Sequence, residues 1–128
     1  MFLFCEISAI GCGVAAMSSC PPPNEALAEL ASVLGDDNVR TLVRTFLRDF
    51  PVSFQELRAG DRKSRHRIAH SMKSNSRLMG AHELSEQMAG LEDRLAQTDG
   101  ADITEQDFAL ISARFEKIAV ALREFAGQ

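Results

Sequence analysis

Three histidines occur in the 128 residues, His66, His70 and His82. Of these, His70 has neighbours that could turn an imidazole to chemical use. Between Arg62 and His82 the chain carries Arg62, Lys63, Arg65, Arg67, Lys73 and Arg77 and no Asp or Glu. Placed on a helix at about 100° per residue, Lys63, His66, Arg67, Lys73, Ser74 and Arg77 fall within about 60° of His70, while Ile68, Met72 and Met79 point about 160–180° away. His70 is therefore expected on the solvent face of an amphipathic helix, within a cationic strip and with a small residue, Ser74, one turn on. A neutral imidazole is a competent nucleophile near pH 7, and adjacent cations can hold and partly neutralise a phosphoryl group. The same pattern also fits a plain solvated face, or a basic surface that sequesters an acidic partner without covalent chemistry.

Other chemistries fit the residues less well. His66 and His70 stand at i and i+4 and could share a metal, but a tetrahedral site wants further ligands and the surrounding cations repel Zn²⁺, so no metal site is expected. His82-Glu83 lacks the second histidine of H-E-x-x-H and reads as the start of a helix. Met72, Met79 and Met88 sit at core spacing and read as packing. There is no G-x-x-x-x-G-K loop and no compact acidic group for Mg²⁺, so ATP binding and self-phosphorylation are not expected. With 18 acidic against 14 basic side chains, a net charge of −4 and neither Trp nor Tyr, the chain is not expected to bind nucleic acid.

The elements that would position His70 follow from periodicity. Nothing alternates with period two over a useful length, so the fold is expected to be all-α. Asn24 precedes Leu27, Leu30, Ala31 and Leu34 as an N-cap before a short stripe that Gly35 ends. Asp36 or Asp37 can cap the next segment, where Val39, Val43, Phe46, Phe50, Phe54 and Leu57 recur at helical spacing and Pro51 implies a kink or restart near Phe50. Gly60 and Asp61 mark a turn. The stripe Ile68, Met72, Met79 then runs to Gly80, and Leu84, Met88, Leu91 and Leu95 run toward Gly100. Thr104 and Asp107 resemble a capping box opening Phe108, Ile111, Phe115, Ile118, Leu122 and Phe125. Four long segments joined by short turns predict an antiparallel up-down four-helix bundle over residues 24–126, with a short extra N-terminal helix over one end.

Residues 1–23 fall outside that pattern and are expected to be a disordered leader, with Met17 as an alternative start. They hold Cys5, Cys12 and Cys20, an odd set at one end that cannot staple a core, which points to a reducing compartment. Their only charge is Glu6, so the basic flank of a secretory signal is missing. Their apolar stretches fall far short of the roughly 20 residues that span a bilayer. A cytoplasmic monomer without a membrane anchor is expected.

The run Ala69-His70-Ser71-Met72-Lys73-Ser74-Asn75-Ser76-Arg77-Leu78-Met79-Gly80-Ala81-His82-Glu83-Leu84, followed by Leu91-Glu92, resembles the signature of histidine-containing phosphotransfer (HPt) domains. That signature reads roughly A-H-x-L-K-G-x-S-x-x-x-G-A-x-x-L and then L-E. Leu34-Gly35-Asp36 and Phe46-Leu47 with Pro51 are similar to the family's L-x-G-D and F-L-x-x-x-P elements, so the resemblance covers most of residues 24–126. It implies that His70 is the phosphoacceptor, that Lys73 lies beside the phosphoryl group, and that Gly80 and Ala81 form the turn between the two helices of the site. Lys63, His66, Arg67, Ser74 and Arg77 would then face the partner. Met72 replaces a usual leucine, a volume-conserving change. Ser74 replaces a glycine that lets the partner's backbone come close.

The function so implied is that of a phosphorelay intermediate of two-component signalling. His70 would take a phosphoryl group from one receiver-domain aspartate, hold it as a phosphoramidate and pass it to another. The partners implied are response-regulator receiver domains and a hybrid histidine kinase. The chain itself would bind no cofactor and have no kinase activity, Mg²⁺ being expected on the receiver.

Overall fold

Helix boundaries in this chain are set by identifiable groups. Asn24 Oδ1 accepts from the Leu27 amide at 2.9 Å, and Asp61 Oδ1 from the Ser64 amide at 2.8 Å. Thr104 and Asp107 form a complete capping box, each side chain accepting from the other's backbone N–H. The resulting computed structural model describes residues 20–127. The expectations for residues 1–19, including the Met17 start and the state of Cys5 and Cys12, lie outside the described residues.

Five helices follow: α1 (Glu25–Leu34), α2 (Asp36–Ala59), α3 (Arg62–Leu78), α4 (His82–Ala96) and α5 (Glu105–Ala126). Among the described residues there is no strand. Each of α2 to α5 packs on its neighbour in chain order, α5 closes back on α2, and α1 lies on α2, so the architecture is the expected all-α bundle with its extra N-terminal helix. Leu27, Val39, Val43, Leu57, Met72, Leu84, Met88, Leu91, Ile111, Leu122 and Phe125 are fully enclosed at its centre. Phe50 stacks on Phe115, with ring centroids 4.3 Å apart and planes 1° from parallel.

Several local expectations are corrected. Neither Asp36 nor Asp37 caps α2; Gly35, at φ 89°, is the N-cap, and both acids sit in the first turn, where they face the positive end of the helix dipole. The helix does not restart at Pro51 but runs unbroken from Asp36 to Ala59. Pro51 lies on the exposed side, and the buried side chains before and after it, Phe46, Phe50 and Leu57, hold both halves against one core. On α3 the buried seam is Ala69, Met72 and Ser76, continued by Met79, with Ile68 only half-buried. On α5, Ala119 is enclosed and Ile118 half-buried.

Cys20, placed with the leader by its sequence, is packed against the core, and its carbonyl accepts from Arg40 at 3.4 Å. Nor is the acid-free stretch wholly a surface strip. Arg62 donates to the carbonyls of Arg94, Gln97 and Gly100 at 2.8–2.9 Å, closing the end of α4. Arg65 donates to the carbonyls of Leu57 and Arg58, both 2.9 Å away, and pairs with Asp102. These two cations satisfy helix-end acceptors that would otherwise be orphaned.

The α3–α4 turn fixes the geometry of the helix pair that matters most. Gly80 donates to the Arg77 carbonyl at 3.0 Å and Ala81 to that of Ser76 at 2.9 Å, the paired closure of a helix C-terminus that calls for a left-handed residue between. Gly80 supplies it at φ 78°. A Cβ there would also collide with the Asn24 amide, whose Nδ2 donates to the Met79 carbonyl at 3.0 Å and so ties the start of α1 to the end of α3.

Candidate active site

Helices α3 and α4 meet through small side chains, with Ala69, Ser76, Ala81 and Ser85 all buried. Small residues allow a close helix approach. Ser85 uses the proximity to donate to the backbone carbonyl of Lys73 at 3.1 Å. Two turns further along α4, Glu92 reaches across to α3. Its Oε2 lies 2.6 Å from His70 Nδ1 and its Oε1 2.7 Å from Lys73 Nζ.

The exposures of the three side chains differ in a useful way. His70 is 60% exposed, while Glu92 is 15% and Lys73 21%. The Lys73 ammonium, first among the causes, holds the Glu92 carboxyl below the usual glutamate range; burial works against this, and the bond to His70 works with it. An ionised carboxylate can only accept, so the hydrogen between Glu92 and His70 belongs to Nδ1. In the neutral imidazole that assignment leaves the lone pair on Nε2, on the other side of the ring from Glu92. The arrangement thus presents an accessible nitrogen nucleophile beside an ammonium, with its tautomer set by a half-buried acid.

The remaining candidate residues fall on two sides of His70. Lys63 and His66 line an open groove with Leu95, Ala96, Gln97 and Thr98 toward the end of α4. Ser74 and Arg77 line another, between α1 and α3, whose walls are Ala26, Leu30, Val33, Leu34 and Leu78 with Glu29. Val33 is 79% exposed and Leu78 46%, so this second groove sets exposed apolar surface alongside Ser74, one turn from His70. Lys63, Arg67 and Arg77 make no ion pair or side-chain hydrogen bond among the described residues. Lys73 departs from expectation, being drawn inward onto Glu92 rather than standing on the exposed face. His82 is exposed at the first position of α4.

Glu92 is the functional candidate that charge counting missed. The stretch around His70 is free of acid in sequence, and the carboxylate that meets the imidazole arrives from 22 residues downstream. The only signal for it was the Leu91-Glu92 pair that closes the resemblance quoted above. No group of three or more His, Cys, Asp or Glu that could hold a metal occurs among the described residues.

A family model described as Hpt domain matches residues 25–124. The chain belongs to the Hpt domain family. That family serves histidine phosphotransfer in two-component signalling, with receiver domains and kinases as its partners. Searches of curated proteins and of solved structures gave no match. The Hpt match takes in all four long helices, and with them His70, Lys73 and the Glu92 that joins the two. No helix of the described residues of this Hpt domain is long and apolar enough to cross a membrane.

Proposed function

We propose that this Hpt domain is a phosphorelay intermediate in which His70 carries the phosphoryl group between two receiver aspartates. The observation that carries the proposal is the shared carboxylate of Glu92, which leaves Nε2 of an exposed imidazole as the nucleophile and holds Lys73 next to it. Nε2 attacks the phosphorus of an aspartyl phosphate, the N–P bond forms as the acyl P–O bond breaks, and the electron pair leaves with the aspartate carboxylate. No proton need move, because Nδ1 already bears one. Lys73 lies where its ammonium can turn toward the incoming phosphoryl oxygens while keeping a donor on Glu92.

In this reading the receiver supplies Mg²⁺ and the in-line geometry, and the Hpt chain supplies a nucleophile, an ammonium and a dock. The dock combines the apolar α1–α3 groove next to Ser74 with Lys63, Arg67 and Arg77 around it, a surface suited to an acidic partner with an apolar contact of its own. We further propose that the chain acts as a cytoplasmic monomer, without kinase activity and without binding nucleic acid. Incubation with phosphorylated receivers tests the reading. His70 should acquire acid-labile, alkali-stable phosphate, and His70→Ala should acquire none while keeping its helical fold. Receiver binding undiminished in His70→Ala, with phosphate never found on His70, would instead make this face a sequestering surface.

A further inference from the structure

We propose that Glu92 sets how readily phosphorylated His70 gives its phosphoryl group up, by keeping a proton on Nδ1 of the modified ring; the proposal rests on the phosphotransfer reading above. When Nε2 bonds to phosphorus its lone pair is used, and the ring, still protonated at Nδ1, becomes an N-phosphorylated imidazolium. In the onward step a carboxylate oxygen of the next receiver bonds to phosphorus, the N–P bond breaks and its electron pair returns to Nε2. With the Nδ1 proton in place the leaving group is a neutral imidazole. Without it the leaving group is an imidazolate anion, a far poorer one. One proton therefore separates a phosphoryl donor from a phosphoryl store, and in the resting domain that proton lies on a 2.6 Å bond to Glu92 Oε2.

The charges around this proton pull in both directions. From α4, the Glu92 carboxylate is in direct contact with it and only 15% exposed, so water screens the attraction weakly. From α3, Lys73 occupies the other oxygen of that carboxylate at 2.7 Å, and Lys63, Arg67 and Arg77 lie within two turns of His70, as does the imidazole of His66; the four fixed cations disfavour a positive charge on the ring. From α1, Glu29 lines the groove that holds Ser74 and Arg77. The phosphoryl group, once present, favours the proton. Only Glu92 is both ionised and hydrogen-bonded to the ring, so its removal should be felt most. Lys73 keeps Glu92 ionised, which makes the carboxylate an acceptor for Nδ1–H rather than a competing donor.

Glu92 in this account is a positioning residue with an electrostatic effect, and a pH profile separates that from a merely structural role. The domain is phosphorylated on His70 from a phosphorylated receiver, freed of it, and mixed with fresh receiver across the neutral and mildly alkaline range, while ¹⁵N NMR follows Nδ1 of the phosphorylated ring. In Glu92→Gln the midpoint for loss of the Nδ1 proton should fall by about 1 pH unit or more. Onward transfer should then match wild type below the variant's midpoint, fall behind it between the two midpoints, and be about tenfold slower above the wild-type midpoint, one pH unit being a factor of ten in the protonated fraction. Glu92→Asp, which keeps the charge and shortens the reach, should fall between. An unchanged midpoint, or a rate lowered equally at every pH, would overturn the inference and leave phosphotransfer standing. Failure of wild-type His70 to take up phosphate at all would overturn both.

Discussion

Ser85 on α4 donates its hydroxyl to the backbone carbonyl of Lys73 on α3, 3.1 Å away, and so locks the two helices in register at the residue whose side chain reaches Glu92. The hydroxyl is buried, and seven residues further along the same helix Glu92 completes the crosslink from side chain to side chain. Ser85→Ala removes the donor and is expected to lower stability by about 1 kcal/mol. Urea unfolding followed by circular dichroism would measure it, and Ser85→Thr should recover part of the loss if the threonine hydroxyl regains the bond. A stability unchanged in Ser85→Ala would mean that the bond adds nothing to the register.

Gly80 and Asn24 are joined in a way that predicts a coupling. Gly80→Ala places a Cβ against the Asn24 amide at a positive φ, and should destabilise by more than about 1 kcal/mol. Asn24→Ala loses both the cap of α1 and the bond to the Met79 carbonyl and should cost about 0.5–2 kcal/mol. Because the collision in the first variant is with the side chain removed in the second, the double variant should be more stable than the sum of the two losses implies. Strict additivity in denaturant unfolding would contradict this geometry.

The shared carboxylate also makes a prediction for the acid limb of stability. Glu92 has its folded-state pKa held below the unfolded value, chiefly by Lys73, so its contribution is fully present above the unfolded glutamate value of about 4.3 and is lost as pH falls through the folded one. Asp102, held low by the Ile103 amide and by Arg65, acts in the same direction. Unfolding measured from neutral pH downward should therefore show stability falling below about pH 4–5. Lys73→Met should flatten that fall, because it removes the largest cause of the Glu92 shift while leaving Asp102 alone. A slope unchanged in Lys73→Met would show that the pair is not formed in solution.

Ser74 and the apolar groove beside it bear on partner choice. Ser74 is exposed one turn from His70, so in the proposed complex its hydroxymethyl would meet a receiver backbone that approaches the imidazole. Ser74→Gly should lower helix stability by about 0.5–1 kcal/mol and yet raise the rate of transfer from a receiver. Val33→Asp, at an exposed position of the groove, should leave the fold intact, since it buries no charge, and weaken receiver binding by placing like charge opposite an acidic partner. Denaturant unfolding and the rate of phosphate uptake would read the first variant and calorimetric titration with the cognate receiver the second, where undiminished affinity in Val33→Asp would place the dock elsewhere.

Much of this arrangement was legible in the sequence because it is local. Asn24, the Thr104–Asp107 box and Gly80 act within a few residues of themselves, and the helical face that exposes His70 follows from a period. What was not legible is tertiary. Arg62 and Arg65 counted only toward an acid-free basic stretch until the helix ends they cap were in place, since a charge count cannot tell a guanidinium in solvent from one that, like that of Arg62, satisfies carbonyls 32–38 residues away. Pro51 signals a break by its chemistry, yet aromatic contacts with α5 on both sides of it, Phe50 on Phe115 and Phe54 on Phe108, outweigh a single lost hydrogen bond. Glu92 stayed hidden for the same reason: its link to His70 depends on how closely two helices approach.

The central claim is that His70 Nε2 carries a phosphoryl group, and one measurement bears on it directly. Wild type, His70→Ala and His70→Gln are each incubated with a phosphorylated receiver, and the transferred phosphate is located by mass spectrometry and tested for stability in acid and alkali. The account predicts one phosphate on His70 in the wild type, labile in acid and stable in alkali, and none on either variant with its helical content intact. Equal phosphate uptake by the variants, or phosphate found only at another residue, would contradict it.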